Sequence, residues 1–214
     1  ADLLGKRVGV NRGYTVTTGV WARAIIQEEH DVDLSDITWC PSGDEHVEQY
    51  QAPANVQPLE DGDLEGRLTA GDLVAAVGTS VDHSDVATMY EDPFGAGLAA
   101  LKSRGFYPIN HTVAIRDELL EENPDIAVQV FNAFAESKNR YVAELRAGRI
   151  SDPTAVDEVH LAAMEVMVDP LPYGIEPNRH TLEGLMGHAA TQKIIPGPIP
   201  LEDLFAKNVL DAVA

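Results

Sequence analysis

Apolar residues follow two rhythms along this chain. In the first half they come in short runs bounded by Gly, Pro and polar turns. In the second half they recur every three or four residues. Residues 6–10 (KRVGV) follow a turn at Gly5 and predict a short buried strand. Residues 18–30 predict a helix that buries Trp21, Ala22, Ile25 and Ile26, with Thr17 or Thr18 as its N-cap. Residues 37–40 (ITWC) predict the next strand, so the order strand, helix, strand points to a parallel crossover. Beyond an irregular stretch at 41–58, residues 64–70 predict a short helix stopped by Gly71, and residues 73–77 a third strand. Residues 84–104 predict helix around a small-residue turn at 93–97, and residues 109–115 a fourth strand.

The second half reads as mostly helix. A helical start is predicted at 117–122. The strongest pattern runs over 125–146, where Ile126, Val130, Phe134, Tyr141 and Leu145 recur at near-helical spacing after Asn123 and Pro124. Residues 152–167 predict another helix, capped by Ser151 or Asp152, residues 178–192 a further one, and residues 201–205 a last turn. No internal repeat or low-complexity linker interrupts the chain. The join between the halves falls near 104–108, which divides it into residues 1–105, an α/β lobe, and residues 106–214, a mostly helical segment.

Composition narrows the classes of function. At 214 residues and 44% hydrophobic, the chain can bury a core and is not globally disordered. It has no apolar run of the roughly 18 residues that a membrane helix needs, so membrane insertion is not expected. It opens without Met and without a basic, apolar signal-like start. The formal net charge is -20, from 35 acidic and 15 basic residues, which opposes nucleic acid as a partner. The acidity suits either attraction of a polycationic partner or solubility in concentrated salt. Scattered acids with five Lys against ten Arg match the second reading, a halophile's surface. Cys40 is the single cysteine, so neither an intrachain disulfide nor a thiolate metal cluster is available, and a buried strand position suits it.

Three constellations carry candidate chemistry. The loop at 11–19, between the first strand and the first helix, is rich in hydroxyls and leads into a helix start, which suits a carboxylate or phosphate. Tyr14, Thr15, Thr17 and Thr18 offer donors there, and Arg12 and Arg23 add positive charge. Neither a Walker A Gly-Lys-Thr/Ser nor a G-x-G-x-x-G occurs in it, which disfavours nucleotide phosphates. Asn110 and His111 interrupt an apolar run, and a histidine there can carry a proton near neutral pH. Residues 172–179 (PYGIEPNR) gather Tyr173, Glu176, Asn178 and Arg179 in a segment stiffened by two prolines, with Asn178 a candidate N-cap. Arg179 suits a carboxylate, or simply an ion pair with Glu176. Weaker signals add little. Asp44, Glu45 and His46 lack a metal-ligand spacing, His180 and His188 lie too far apart to share an ion, and Ser80, Ser84 and Ser137 lack a nucleophile elbow. No metal is expected.

Four segments together, 5–10 (GKRVGV), 14–23 (YTVTTGVWAR), 106–111 (FYPINH) and 172–179 (PYGIEPNR), resemble the 4,5-dihydroxyphthalate decarboxylase family. The resemblance extends over most of the chain to 200–205 (PLEDLF). It implies a type 2 periplasmic-binding-protein-like α/β fold, two lobes with a hinge cleft. Residues 1–105 would then form the second lobe, and the remainder would return to a first lobe lacking its N-terminal part. Relatives of that fold often carry Asp where this chain has Val74.

The resemblance implies a carboxy-lyase of aromatic catabolism that turns 4,5-dihydroxyphthalate into protocatechuate and CO2. The chemistry needs no electron-sink cofactor, because each carboxylate lies para to a hydroxyl whose deprotonation pushes electrons toward the carboxyl-bearing carbon. A proton donor at that carbon, an acceptor at the phenol and donors for the spectator carboxylate suffice. His111 is the expected proton-transfer residue, Tyr173 and Glu176 the groups facing the phenols, and Arg179 with the loop the carboxylate grip. Asn110 and Asn178 are expected to line the site. The expected partner is a small aromatic carboxylate in a cytoplasmic enzyme, and a homo-oligomer is compatible with the sequence. The alternative is a solute-binding protein of an ABC-type transporter for a small organic anion, which would act outside the cytoplasm. Fold alone does not separate the two.

Overall fold

The computed structural model describes residues 2–60 and 62–214. It is a mixed α/β structure whose contacts group into two compact units. A sheet unit comprises Ala1–Met89 and Gly184–Pro198, and a helical unit comprises Tyr90–Glu183 and Ile199–Ala214.

The sheet unit is built on three parallel strands, β1 (Arg7–Val10), β2 (Thr38–Pro41) and β3 (Ala75–Val77), in the order β2-β1-β3. Val8 stands opposite Trp39 on one side and Ala75 on the other. With β1 central, Val8, Gly9 and Val10 are buried, Val8 and Val10 fully, while Arg7 at the strand's start is half-buried. Helix α1 (Thr17–His30) is the crossover between β1 and β2, as the sequence pattern predicts, and α2 (Leu64–Thr69) precedes β3. Val8, Val10, Tyr14, Ile26, Ile37 and Trp39 form one core cluster, and Cys40, Leu59, Leu64 and Leu73 form a second. Cys40 is therefore the buried strand residue expected of it.

The helical unit contains α3 (Pro93–Arg104), α4 (Asp117–Glu122), α5 (Ile126–Arg146), α6 (Ala155–Ala163) and α8 (Leu201–Leu204). Helix α7 (Arg179–Thr191) contains the boundary between the units, at Glu183 and Gly184. Helix α5 packs against α4 and α6. Its buried positions are Ala127, Ala135, Val142 and Leu145; of the other periodic residues Ile126, Val130 and Tyr141 are half-buried and Phe134 is exposed.

Several sequence expectations are corrected. Residues 109–115 form no strand: the stretch 105–116 has no regular structure, and Asn110–Ala114 are exposed. Apolar alternation fits an extended segment as well as a paired one, and this segment has no ladder partner among the described residues. Helix is absent from 84–92 and begins at Pro93, where Asp92 caps the N–H of Gly95. The cap of α1 is neither Thr17 nor Thr18 but Val16, which makes no side-chain cap bond. The cap of α6 is Thr154 rather than Ser151 or Asp152. Thr154 and Asp157 close a capping box. Asn178 does not cap α7: its side-chain amide donates to the carbonyls of Pro172 and Gly174.

Asp157 also accepts the Tyr141 hydroxyl at 2.5 Å, and that hydroxyl lies 2.8 Å from His160 Nδ1. The Tyr141 bond, and then the Thr154 backbone and hydroxyl, hold the Asp157 carboxyl down at about 2. A depressed carboxyl stabilises the fold above its ordinary value near ~4, and that stabilisation is lost as pH falls toward the folded value. Asp157→Asn should therefore melt well below the unmodified protein at about pH 5, with the gap narrowing by about pH 2.5. A gap independent of pH would show that the carboxylate charge is not what the site stabilises. A second test concerns Gly174, whose φ is +116° and where an added Cβ would overlap the Ala212 carbonyl oxygen. Gly174→Ala should cost about 2 kcal/mol or more in denaturant unfolding, and a neutral result would contradict this backbone path.

Candidate functional site

The loop after β1 is positioned by its backbone on both sides. Asn11 donates its N–H to Val77 and its side-chain amide to the Gly78 carbonyl, and the Arg12 N–H donates to Ser42 Oγ. Arg12 takes a left-handed φ of 65°, which turns the chain sharply out of the sheet. Its own side chain is exposed.

Beneath the loop lies Arg23, 0% exposed, on the buried side of α1. Its Nη2 donates to the Tyr14 carbonyl at 2.6 Å and its Nε donates to Gln192 Oε1 at 2.7 Å. Its guanidinium stacks on the Tyr14 ring, 3.8 Å from the centroid, with the Trp39 ring at 5.6 Å. No carboxylate pairs with it, and its Nη1 is the one buried side-chain polar atom without a partner among the described residues. That nitrogen lies against Gly19 in the first turn of α1, where an added Cβ would stand 3.0 Å away. Burial pulls the Arg23 guanidinium down to about 10, while Tyr14, Tyr50 and Glu45 favour its charge. Burial likewise pushes the Tyr14 phenol up, and that of Tyr50 up to about 12.

The loop's outward donors are filled from within the chain. Glu45 Oε1 accepts the Tyr14 N–H in a short bond, and Oε2 accepts the Thr15 N–H at 3.0 Å and the Thr15 hydroxyl at 2.6 Å. A carboxylate is thus seated where the sequence suggests an anion. Glu45 entered the sequence reading only as a weak metal candidate beside Asp44 and His46. Among the described residues no group of three His, Cys, Asp or Glu side chains could hold a metal ion. Thr17 is half-buried and Thr18 exposed at the start of α1, with no bond of either to Glu45.

In the helical unit the structure brings the 106–111 motif against the residues that follow the 172–179 motif. Phe106 stacks on His180 with centroids 4.3 Å apart, His180 Nε2 lies 3.1 Å from the Arg104 carbonyl, and the Tyr107 N–H donates to Thr181 Oγ1 at 3.4 Å. The segment carrying Asn110 and His111 is therefore fastened to the head of α7, the helix that the second motif opens. Asn110 and His111 are exposed. Tyr173 is half-buried against Phe131, 4.7 Å between centroids, its backbone is paired with Ala214, and burial raises its phenol. Arg179 donates to Glu176 at 2.6 Å, Glu202 at 3.0 Å and Glu183 at 3.2 Å. Those bonds raise its pKa and lower that of Glu176. The ion-pair reading of Glu176 and Arg179 is thus present, widened to three carboxylates.

Sequence reasoning missed Glu45, Gln192 and the Tyr141–Asp157–His160 group. Only the last had a readable signal, the Thr154-x-x-Asp157 spacing of a capping box.

A parallel sheet with a donor-lined loop at the carboxyl end of its middle strand makes this an α/β protein with an anion-type loop. No protein-family model matches the chain. Two curated proteins do. A 4,5-dihydroxyphthalate decarboxylase of Comamonas testosteroni is 27% identical over 235 aligned residues, 99% of this chain and 69% of that protein. Another, of Pseudomonas putida, is 36% identical over 110 residues, 45% of this chain and 42% of that protein. Both matches uphold the relationship to the 4,5-dihydroxyphthalate decarboxylase family that the motifs indicated.

The Arg23 arrangement yields a test. Arg23→Ala should cost at least about 3 kcal/mol, because a cavity opens and the Tyr14 carbonyl and Gln192 lose their donor. Arg23→Met, which refills the volume, should recover part of that loss. Equal loss in both variants would mean that the polar bonds, not the packing, dominate.

Proposed function

We propose that this chain supplies the working parts of a decarboxylase for an aromatic dicarboxylic acid of the 4,5-dihydroxyphthalate type. The observation that carries this reading is a match along 99% of the chain to an enzyme of that name. Both matched proteins are named as enzymes, which favours turnover over solute carriage. The α/β sheet with its loop after β1 is compatible with the two-lobed binding-protein-like architecture that the same reading entails.

In this mechanism the phenol para to the reacting carboxylate gives up its proton to an acceptor. The oxygen's electrons move through the ring to the carboxyl-bearing carbon, which takes a proton from His111. The C–C bond then breaks, its electron pair restores the aromatic ring, and CO2 leaves. The proton gained at carbon balances the lost carboxylate, and the phenol recovers its own. Tyr173 and Glu176 are the groups we assign to the phenols. Exposure leaves His111 open to an incoming ring. Arg179, crowded by three carboxylates, would bind a substrate carboxylate in exchange for one of them. Within the sheet unit, Arg12, Thr15, Thr17 and Thr18 offer carboxylate donors of their own, and within the helical unit Asn110 and Asn178 add polar groups.

The test is an assay in high salt, a choice dictated by the net charge of -20. The full-length protein is incubated with 4,5-dihydroxyphthalate, and CO2 and protocatechuate are followed. Turnover is expected, and His111→Ala should lower kcat by about 100-fold or more while leaving ligand binding intact. Unchanged turnover in that variant would remove His111 from the mechanism. Tight binding without CO2 would replace the enzyme with a solute-binding protein.

A further inference from the structure

The geometry points to Glu45 as a built-in occupant of a carboxylate subsite, which an aromatic carboxylate enters only by displacing it. The inference rests on the proposed function insofar as it assigns carboxylate recognition to the loop after β1, and it names how that recognition is controlled. Three donors converge on one carboxylate position: the Tyr14 N–H, the Thr15 N–H and the Thr15 hydroxyl. Both oxygens of Glu45 are engaged, so the cradle presents the two-oxygen pattern of any carboxylate. Gly13 lets the 44–45 segment close directly over the loop, since an added Cβ there would come within 2.7 Å of both the Asp44 carbonyl oxygen and Glu45 Oε2.

A buried cation lies on the other side of the same loop peptide. Arg23 is wholly buried under the same loop, pairs with no carboxylate among the described residues, and leaves its Nη1 unbonded against Gly19 in the first turn of α1. A buried cation is stabilised by negative charge nearby, and Glu45 favours the charge of Arg23. The segment that carries Glu45, 42–50, has no helix or strand to fix it, and Glu45 itself is only half-buried. An internal carboxylate on such a segment acts as a competitor of finite strength. Apparent affinity for an external carboxylate is then reduced by the fraction of time the cradle is free.

The probe is phthalate, which carries both carboxylates but no hydroxyl, so it reads binding without turnover. Calorimetric titration of the full-length protein should show Glu45→Gln and Glu45→Ala binding phthalate at least about tenfold tighter than the unmodified protein. Phthalate should also raise the melting temperature of Glu45→Ala more than that of the unmodified protein. Glu48→Gln, which removes the same charge three residues away, should show no such gain, and Thr15→Val combined with Glu45→Gln should abolish it. Equal or weaker binding in the Glu45 variants would overturn the inference. So would a gain that Glu48→Gln reproduces or that survives loss of the Thr15 hydroxyl. Failure of the dihydroxy acid to react would sink the proposed function alone, because phthalate binding is measured separately.

Discussion

The sheet unit turns on one buried guanidinium. In a chain of net charge -20, Arg23 sits at 0% exposure with no carboxylate bonded to it among the described residues, held instead by a peptide carbonyl, a glutamine and two aromatic faces. Its bond to the Tyr14 carbonyl has a consequence on the other side of the same peptide. Because a trans peptide is planar, its C=O and the next residue's N–H point in opposite directions. Pulling the Tyr14 carbonyl down toward Arg23 therefore turns the Thr15 N–H outward, where it donates to Glu45. Gln192 completes the arrangement by accepting from Arg23 and donating to the Val20 carbonyl, which ties the returning segment Gly184–Pro198 to α1. Sheet, helix and donor loop thus share a single cation as their common support.

The helical unit solves a different problem. Asn110, His111 and Tyr173 lie on segments without helix or strand, and such segments need fastening before they can hold a reacting group. The Phe106–His180 stack and the Tyr107–Thr181 bond do this for the stretch leading to His111. Asn178 does it for the turn bearing Tyr173, by donating to two carbonyls at once. The acidic surface enters here as chemistry rather than only as solubility: Arg179 is surrounded by three carboxylates, so an anionic ligand must compete with the chain's own acids at both candidate anion sites. Internal carboxylates standing where a substrate carboxylate is expected are a common theme of the two units.

Much of the framework was legible from local pattern. The β1–α1–β2 crossover, α4, the extent of α5 and the burial of Cys40 follow from apolar spacing and turn residues, which are local properties. The fourth strand was misread because a strand exists only if a partner pairs with it, and residues 109–115 present alternation without a partner. Large apolar residues marked the period of α5, but the neighbours decide how deeply each is covered: small Ala127 and Ala135 take inner positions while Phe134 is exposed. The loop at 11–19 was legible as an anion site from its hydroxyls, yet its occupant was not. Glu45 lies 30 residues from Thr15 in sequence, and no local spacing announces that contact. Arg23 was readable as a loop cation, but its burial under the loop depends on Gln192, 169 residues away.

The most direct measurement is a crystal structure of the full-length protein with phthalate bound. The account predicts a phthalate carboxylate on the Thr15 N–H and hydroxyl, the Tyr14 carbonyl still on Arg23, and Glu45 turned away from the loop. Phthalate bound elsewhere, with Glu45 still seated on Tyr14 and Thr15, would contradict it.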